Sequence, residues 1–117
     1  MAALVAVAAL VLGPTIPPAG TIDTRRPHRV QAPDPRVEIV RPYRAKLTRM
    51  AWCESTGRWH IATGNGFYGG LQFDAQTWRS VGGSGLPHWH SRLEQMFRAV
   101  RLIRRRGYAP WPICGSA

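Results

Sequence analysis

The sequence predicts a small α+β domain, mostly helical with one short irregular β-hairpin, and three observations carry that prediction. Segments 46–54 and 91–106 repeat apolar residues at helical spacing. Between them the run Thr63-Gly64-Asn65-Gly66-Phe67-Tyr68-Gly69-Gly70 holds the Asn-Gly pair of a tight hairpin turn. Cys53 and Cys114 bracket most of the chain from Tyr43 onward. That stretch is about 75 residues, a size at which apolar burial alone is marginal and a staple is usually needed.

A chain of 117 residues leaves room for one domain. Residues 1–12 (MAALVAVAALVL) are wholly apolar, and Gly13, Pro14, Pro17 and Pro18 interrupt the run before it reaches the roughly 20 residues of a bilayer span. Residues 1–20 therefore read as a signal peptide or short N-terminal anchor, which predicts export. Residues 21–42 carry four prolines, five arginines and no sustained period. They read as a disordered linker, leaving 43–117 as the folded domain.

The domain opens with a helix on which Leu47, Met50, Ala51 and Glu54 fall at i, i+3, i+4 and i+7. Glu54 thus continues an apolar stripe, either facing a cleft or ending the helix in water. The glycine run follows, flanked by Phe67, Tyr68, Leu71 and Phe73. Its Gly64, Gly66 and Gly69 match a G-x-G-x-x-G spacing, but no βαβ unit surrounds them and no Walker lysine follows. Asp74 is placed to cap a short helix containing Thr77 and Trp78. The last helix is the clearest: Ser91-Arg92-Leu93-Glu94 matches a capping box, Leu93, Met96, Phe97, Val100 and Ile103 form its apolar stripe, and Gly107 ends it.

From Tyr43 onward the only carboxylates are Glu54, Asp74 and Glu94. Two of them have capping roles that need no chemistry, which leaves Glu54 as the candidate acid, held protonated by burial near Trp52 or Trp59. A glycosidase site built on two carboxylates is hard to assemble from this set. A Cys53–Cys114 bridge would close a loop of about 60 residues, worth roughly 4 kcal/mol in the chain-entropy model. The alternative is a reduced cysteine acting as nucleophile with His60, His88 or His90. No metal-ligand spacing is present, so neither metal nor cofactor is expected, and His88-Trp89-His90 reads as loop surface.

Taken together, Cys53-Glu54-Ser55-x-Gly57-x-Trp59, the run 63–73, Thr77-Trp78, Gly82-Gly83 and Trp111-Pro112-x-Cys114 resemble the catalytic domain of actinobacterial resuscitation-promoting factors. The match covers about 70 residues in order, and the ensemble is specific where any single piece is weak. Arg58 stands where that family usually has Asn. The resemblance implies a lysozyme-like domain that cleaves peptidoglycan glycan strands between N-acetylmuramic acid and N-acetylglucosamine. It implies Glu54 as the catalytic acid, a Cys53–Cys114 disulfide, and Tyr68, Gln72 and Thr77 as sugar-binding residues. It further implies a monomer, secreted or associated with the cell wall, with a cell-wall endopeptidase as a candidate partner.

Two other function classes compete with the enzyme. The net charge is +10, and Arg101, Arg104, Arg105 and Arg106 cluster on the last helix, as in a nucleic-acid binder. Arg98, Arg101, Arg104 and Arg105 are expected on its solvent face, where they would promote encounter with a cell wall. An exported protein meets an anionic wall, however, so the charge needs no nucleic acid. The remaining class is a non-catalytic wall-binding or signalling module, against which the retained Glu54 argues.

Overall fold

The computed structural model describes residues 31–117. The apolar segment 1–20 and the first part of the linker lie outside them. Four α-helices follow one another: α1 (Pro35–Val40), α2 (Arg44–Ser55), α3 (Ala75–Ser80) and α4 (Arg92–Arg106), with short 3-10 turns at Arg41–Tyr43, Pro87–Trp89 and Cys114–Ser116. Among the described residues no helix is long and apolar enough to cross a membrane.

Helix α1 corrects the expected linker 21–42, whose last eight residues are folded. Asp34 caps it by accepting the Arg36 N–H at 2.9 Å, and Pro35 supplies the preset φ of a first helical position. The helix packs against α4 and buries Val40 completely. Arg36 reaches across to Glu94, so the charge that looked like tether composition is an inter-helix clasp.

Helix α2 buries Leu47, Met50 and Ala51 fully, as its period predicts. It stops where Thr56 turns left-handed (φ 54°), with the Gly57 N–H donating back to the Ala51 carbonyl. The expected hairpin is reduced to two isolated bridges that share Tyr68, one to Ala62 and one to Phe73. Gly69 and Gly70 explain why no ladder extends. A Cβ on Gly70 would lie 2.4 Å from the Trp59 ring, and one on Gly69 would lie on the Gln95 side chain, so the backbone presses against the core instead of pairing.

Gln95 on α4 is fully buried and ties three segments together. Its Oε1 accepts the Gly70 N–H (2.9 Å), and its Nε2 donates to the carbonyls of Trp59 (2.8 Å) and His90 (2.9 Å). Around it, Met96, Ala99, Val100 and Leu102 are buried. Leu93, Phe97 and Ile103, expected at the centre of the stripe, are only partly buried at its flanks. The expected capping box on α4 is half formed. Ser91 accepts the Glu94 N–H (3.1 Å), but the Glu94 carboxylate turns to Arg36 and Arg98 rather than back to the cap.

Candidate active-site cleft

Glu54 sits near the end of α2, two residues before the helix reverses. Its direction around the helix is that of Leu47 and Ala51, so the core-facing stripe delivers its carboxyl, half-buried, into a cleft of about 620 Å³. Residues 110–114 form a further wall, and Asn65, Phe67 and Gln72 complete the lining. Burial pushes the Glu54 carboxyl above the ordinary glutamate range. Among the described residues it forms no ion pair.

Both chain neighbours of Glu54 are anchored to walls of that cleft. Cys53 is disulfide-bonded to Cys114, fixing the C-terminal wall. The buried Ser55 hydroxyl has the carbonyls of Gly70 (2.8 Å) and Ala51 (3.0 Å) within reach of its one proton, the Gly70 contact being the shorter, and it accepts the Arg58 N–H at 3.1 Å, tying α2 to the glycine turn that precedes Gln72. The two walls are joined in turn by the Trp111 indole, whose Nε1 donates to the Leu71 carbonyl at 2.9 Å. With both sulfurs in the bridge, a cysteine nucleophile is excluded.

A second concavity of about 350 Å³ shares Phe67, Gln72 and residues 110–112 with the first, so the two run into one groove. At its far end stand Asp74, Thr77 and Arg106. Asp74 is occupied as the α3 cap, accepting the Thr77 N–H (2.7 Å) and the Thr77 hydroxyl (2.9 Å). Its carboxylate therefore enters the groove already paired.

Of the residues singled out from sequence, the structure brings Glu54 and Gln72 into one cleft and places Thr77 in its continuation. Tyr68 does not line either part. It stacks on His88 at 5.2 Å between ring centroids, and His60 Nδ1 lies 3.0 Å from the His88 carbonyl oxygen. Nor do Trp52 and Trp59 shelter Glu54: both border a different concavity, and the aromatics beside the acid are Trp111 and Phe67. Arg98 is not a free surface charge, since it clasps Glu94 and donates to the Val81 carbonyl (2.9 Å). The wall formed by Pro110, Pro112 and Ile113 was not singled out as cleft-forming. Its one signal in the sequence was the Trp-Pro-x-Cys motif, which contains Pro112 and Ile113; in the structure Ile113 is left 82% exposed at the cleft. Among the described residues no group of His, Cys, Asp or Glu is gathered to hold a metal ion.

Residues 42–114 match the transglycosylase-like domain family. The chain is 52% identical over 68 residues to resuscitation-promoting factor Rpf of Micrococcus luteus, covering 58% of this chain and 30% of that protein. It is 49% identical over 73 residues to resuscitation-promoting factor RpfE of Mycobacterium tuberculosis, covering 62% of this chain and 42% of that one. The chain thus spans less than half the length of either relative.

Proposed function

The chain belongs to the transglycosylase-like domain family, and from that premise we propose that it cleaves the glycan strands of peptidoglycan between N-acetylmuramic acid and N-acetylglucosamine, with Glu54 as its single acid and base. The observation that carries the reading is Glu54 itself. A half-buried carboxyl whose pKa is raised by burial, set in a groove beside Trp111, keeps its proton to higher pH than an exposed glutamate, as a general acid requires.

The chemistry then balances around one group. Glu54 donates its proton to the glycosidic oxygen as the bond from the muramyl C1 breaks, and the departing N-acetylglucosamine leaves as an alcohol. The Glu54 carboxylate next takes the proton of the muramyl C6 hydroxyl, whose oxygen attacks C1. That step closes a 1,6-anhydro ring and restores the acid. The anhydro outcome is preferred to hydrolysis because the other carboxylate along the groove, Asp74, is already committed to Thr77. Gln72 and Thr77 are proposed to line the sugar path. Such a substrate lies outside the cell, and a Cys53–Cys114 bridge suits that oxidising exterior.

Digestion of purified peptidoglycan, followed by mass spectrometry of the released ends, tests the proposal. Anhydro-muramyl ends, one water lighter than hydrolysed ends, are expected with the unaltered protein and not with Glu54→Gln. Hydrated ends alone would overturn the ring-closing step. Equal release by both proteins would overturn the assignment of Glu54.

A further inference from the structure

On the side of α2 facing away from Glu54 the protein carries another concavity, of about 660 Å³, bordered by Thr48, Arg49, Trp52, Thr56, Trp59 and Arg92. At roughly 100° per residue, Thr48, Trp52 and Thr56 stand in line on one face, and Glu54 points nearly opposite. A bond held here is not the bond presented to the acid.

Trp52 is 67% exposed. Leaving so large an apolar ring in water forfeits the favourable free energy of burying it, so the ring calls for an explanation in what it meets. The ring is also backed: an added Cβ on Gly57 would meet it at 3.3 Å, so the backbone supports one edge. Across the groove the Arg92 guanidinium lies 5.4 Å from the Trp59 ring centroid, within cation–π range. Arg49 supplies a second guanidinium. Neither pairs with a carboxylate among the described residues, and the concavity, which Gly57 and Ala117 also border, is lined by no acidic side chain.

An exposed flat indole offers a stacking surface to the apolar face of a sugar ring, and guanidinium groups take carboxylates by two parallel hydrogen bonds. We propose that this face is a second, non-catalytic binding site for an uncleaved stretch of carboxylate-bearing glycan, with Trp52 as the platform and Arg49 and Arg92 as the carboxylate clamps. The inference rests on the peptidoglycan reading of the groove around Glu54. A hold on the polymer at one face raises the effective concentration of its bonds at the other without adding any contact to the reacting sugar.

Co-sedimentation of the full chain with insoluble polysaccharide tests this, in a Glu54→Gln background so that the polymer is not cut. Peptidoglycan supplies sugar rings with carboxylates, and chitin supplies N-acetylglucosamine rings without them. Trp52→Ala should weaken binding to both, by about tenfold as for truncation of an aromatic anchor. The Arg49→Gln/Arg92→Gln pair, both at exposed positions, should abolish the preference for peptidoglycan over chitin. With Glu54 intact, both variants should turn over a short soluble muramyl glycan at the unaltered rate.

Binding equal to the parent in both variants would overturn the proposal. So would an equal fall in turnover of the short glycan, which would make this face part of the catalytic groove. Tighter Trp52-dependent binding to a single-stranded oligonucleotide than to either polysaccharide would assign the face to nucleic acid instead. Sedimentation needs no turnover, so absence of cleavage by the unaltered protein would refute the reading of Glu54 while leaving this result interpretable. Circular dichroism confirms folding, and the arginine pair carries the test if the indole variant misfolds.

Discussion

Replacing Gln95 by Met keeps the length and nearly the volume of the side chain while removing its three hydrogen bonds, so the change isolates their worth from any cavity effect. The Gly70 N–H and the Trp59 carbonyl lose a buried partner outright, whereas water can reach the half-buried His90. With about 1–3 kcal/mol for each of these two buried groups left unpaired, the expected loss is about 2–6 kcal/mol. A small domain has about 5–15 kcal/mol in total, so the variant should be folded but close to its limit. Urea denaturation measures it: with a slope near 1 kcal/mol per molar, the midpoint should fall by about 2 M or more. Cleavage should weaken as well, because Gln95 holds the turn that carries Gln72 to the cleft. A midpoint shift below about 0.5 M would refute the view that this amide holds the glycine turn against the helices.

Three further outcomes are expected. Reduction of Cys53–Cys114, whose partners are 61 residues apart, should lower stability by about 4 kcal/mol, read as a drop in denaturation midpoint with added reductant; an unchanged midpoint would show the bridge to be idle. Glu94→Gln should cost about 1–3 kcal/mol by loosening α1 from α4, more than a cap alone and less than a fully buried pair, since Arg36 and Arg98 are partly exposed. Burial would raise the Glu94 pKa, but hydrogen bonds from Arg98 and Arg36 outweigh it and lower the pKa, so this contribution is present above the ordinary 4.5 and the gap to Glu94→Gln should close as pH falls through the lowered value. Glu54→Gln should cut cleavage by about 10²–10⁴-fold or more and have the opposite stability sign: burial raises the Glu54 pKa, so its contribution is full below 4.5 and lost as pH rises through the raised value, and the variant should melt above the parent at neutral pH and level with it in acid.

Legibility followed the range of the interactions. Leu47, Met50 and Ala51 announced α2 because burial on a helix repeats in the sequence itself, and Asp74 announced α3 because its capping partner is Thr77, three residues on. Helix α1 was hidden because six residues are too few to show a period, and its main external anchor, Glu94, lies 58 residues away from Arg36. The same distance concealed the role of Glu94 itself. The turn residues 65–66 were visible, but the collapse of the hairpin into bridges depends on Gln95 and Trp59 pressing on Gly69 and Gly70. Glu54 was singled out as the candidate acid by elimination among three acids. Its surroundings were not, because nearness in sequence suggested Trp52, two residues away, and helical geometry sends that ring to the other face.

A desolvated acid is a cost to the fold, and the anchoring around Glu54 shows how the chain sustains it. A carboxyl at the frayed end of a helix would ordinarily relax into water and lose its raised pKa. Here Cys53 on one side is bonded to the wall that carries Trp111, and Ser55 on the other is hydrogen-bonded to the turn that leads to Gln72. The Trp111 indole closes the loop by holding the Leu71 carbonyl. Helix end, glycine turn and C-terminal wall therefore form a triangle of one covalent and two buried polar links, and Glu54 lies at the helix-end corner, between the two residues that make its links. Loosening any one link lets the helix end turn toward solvent, so Ser55→Ala should lower the Glu54 pKa and the cleavage rate together while leaving the acid in place. A pH–rate profile reads both; a reduced rate with an unmoved acid limb would show that Ser55 only stabilises the fold and does not position the carboxyl.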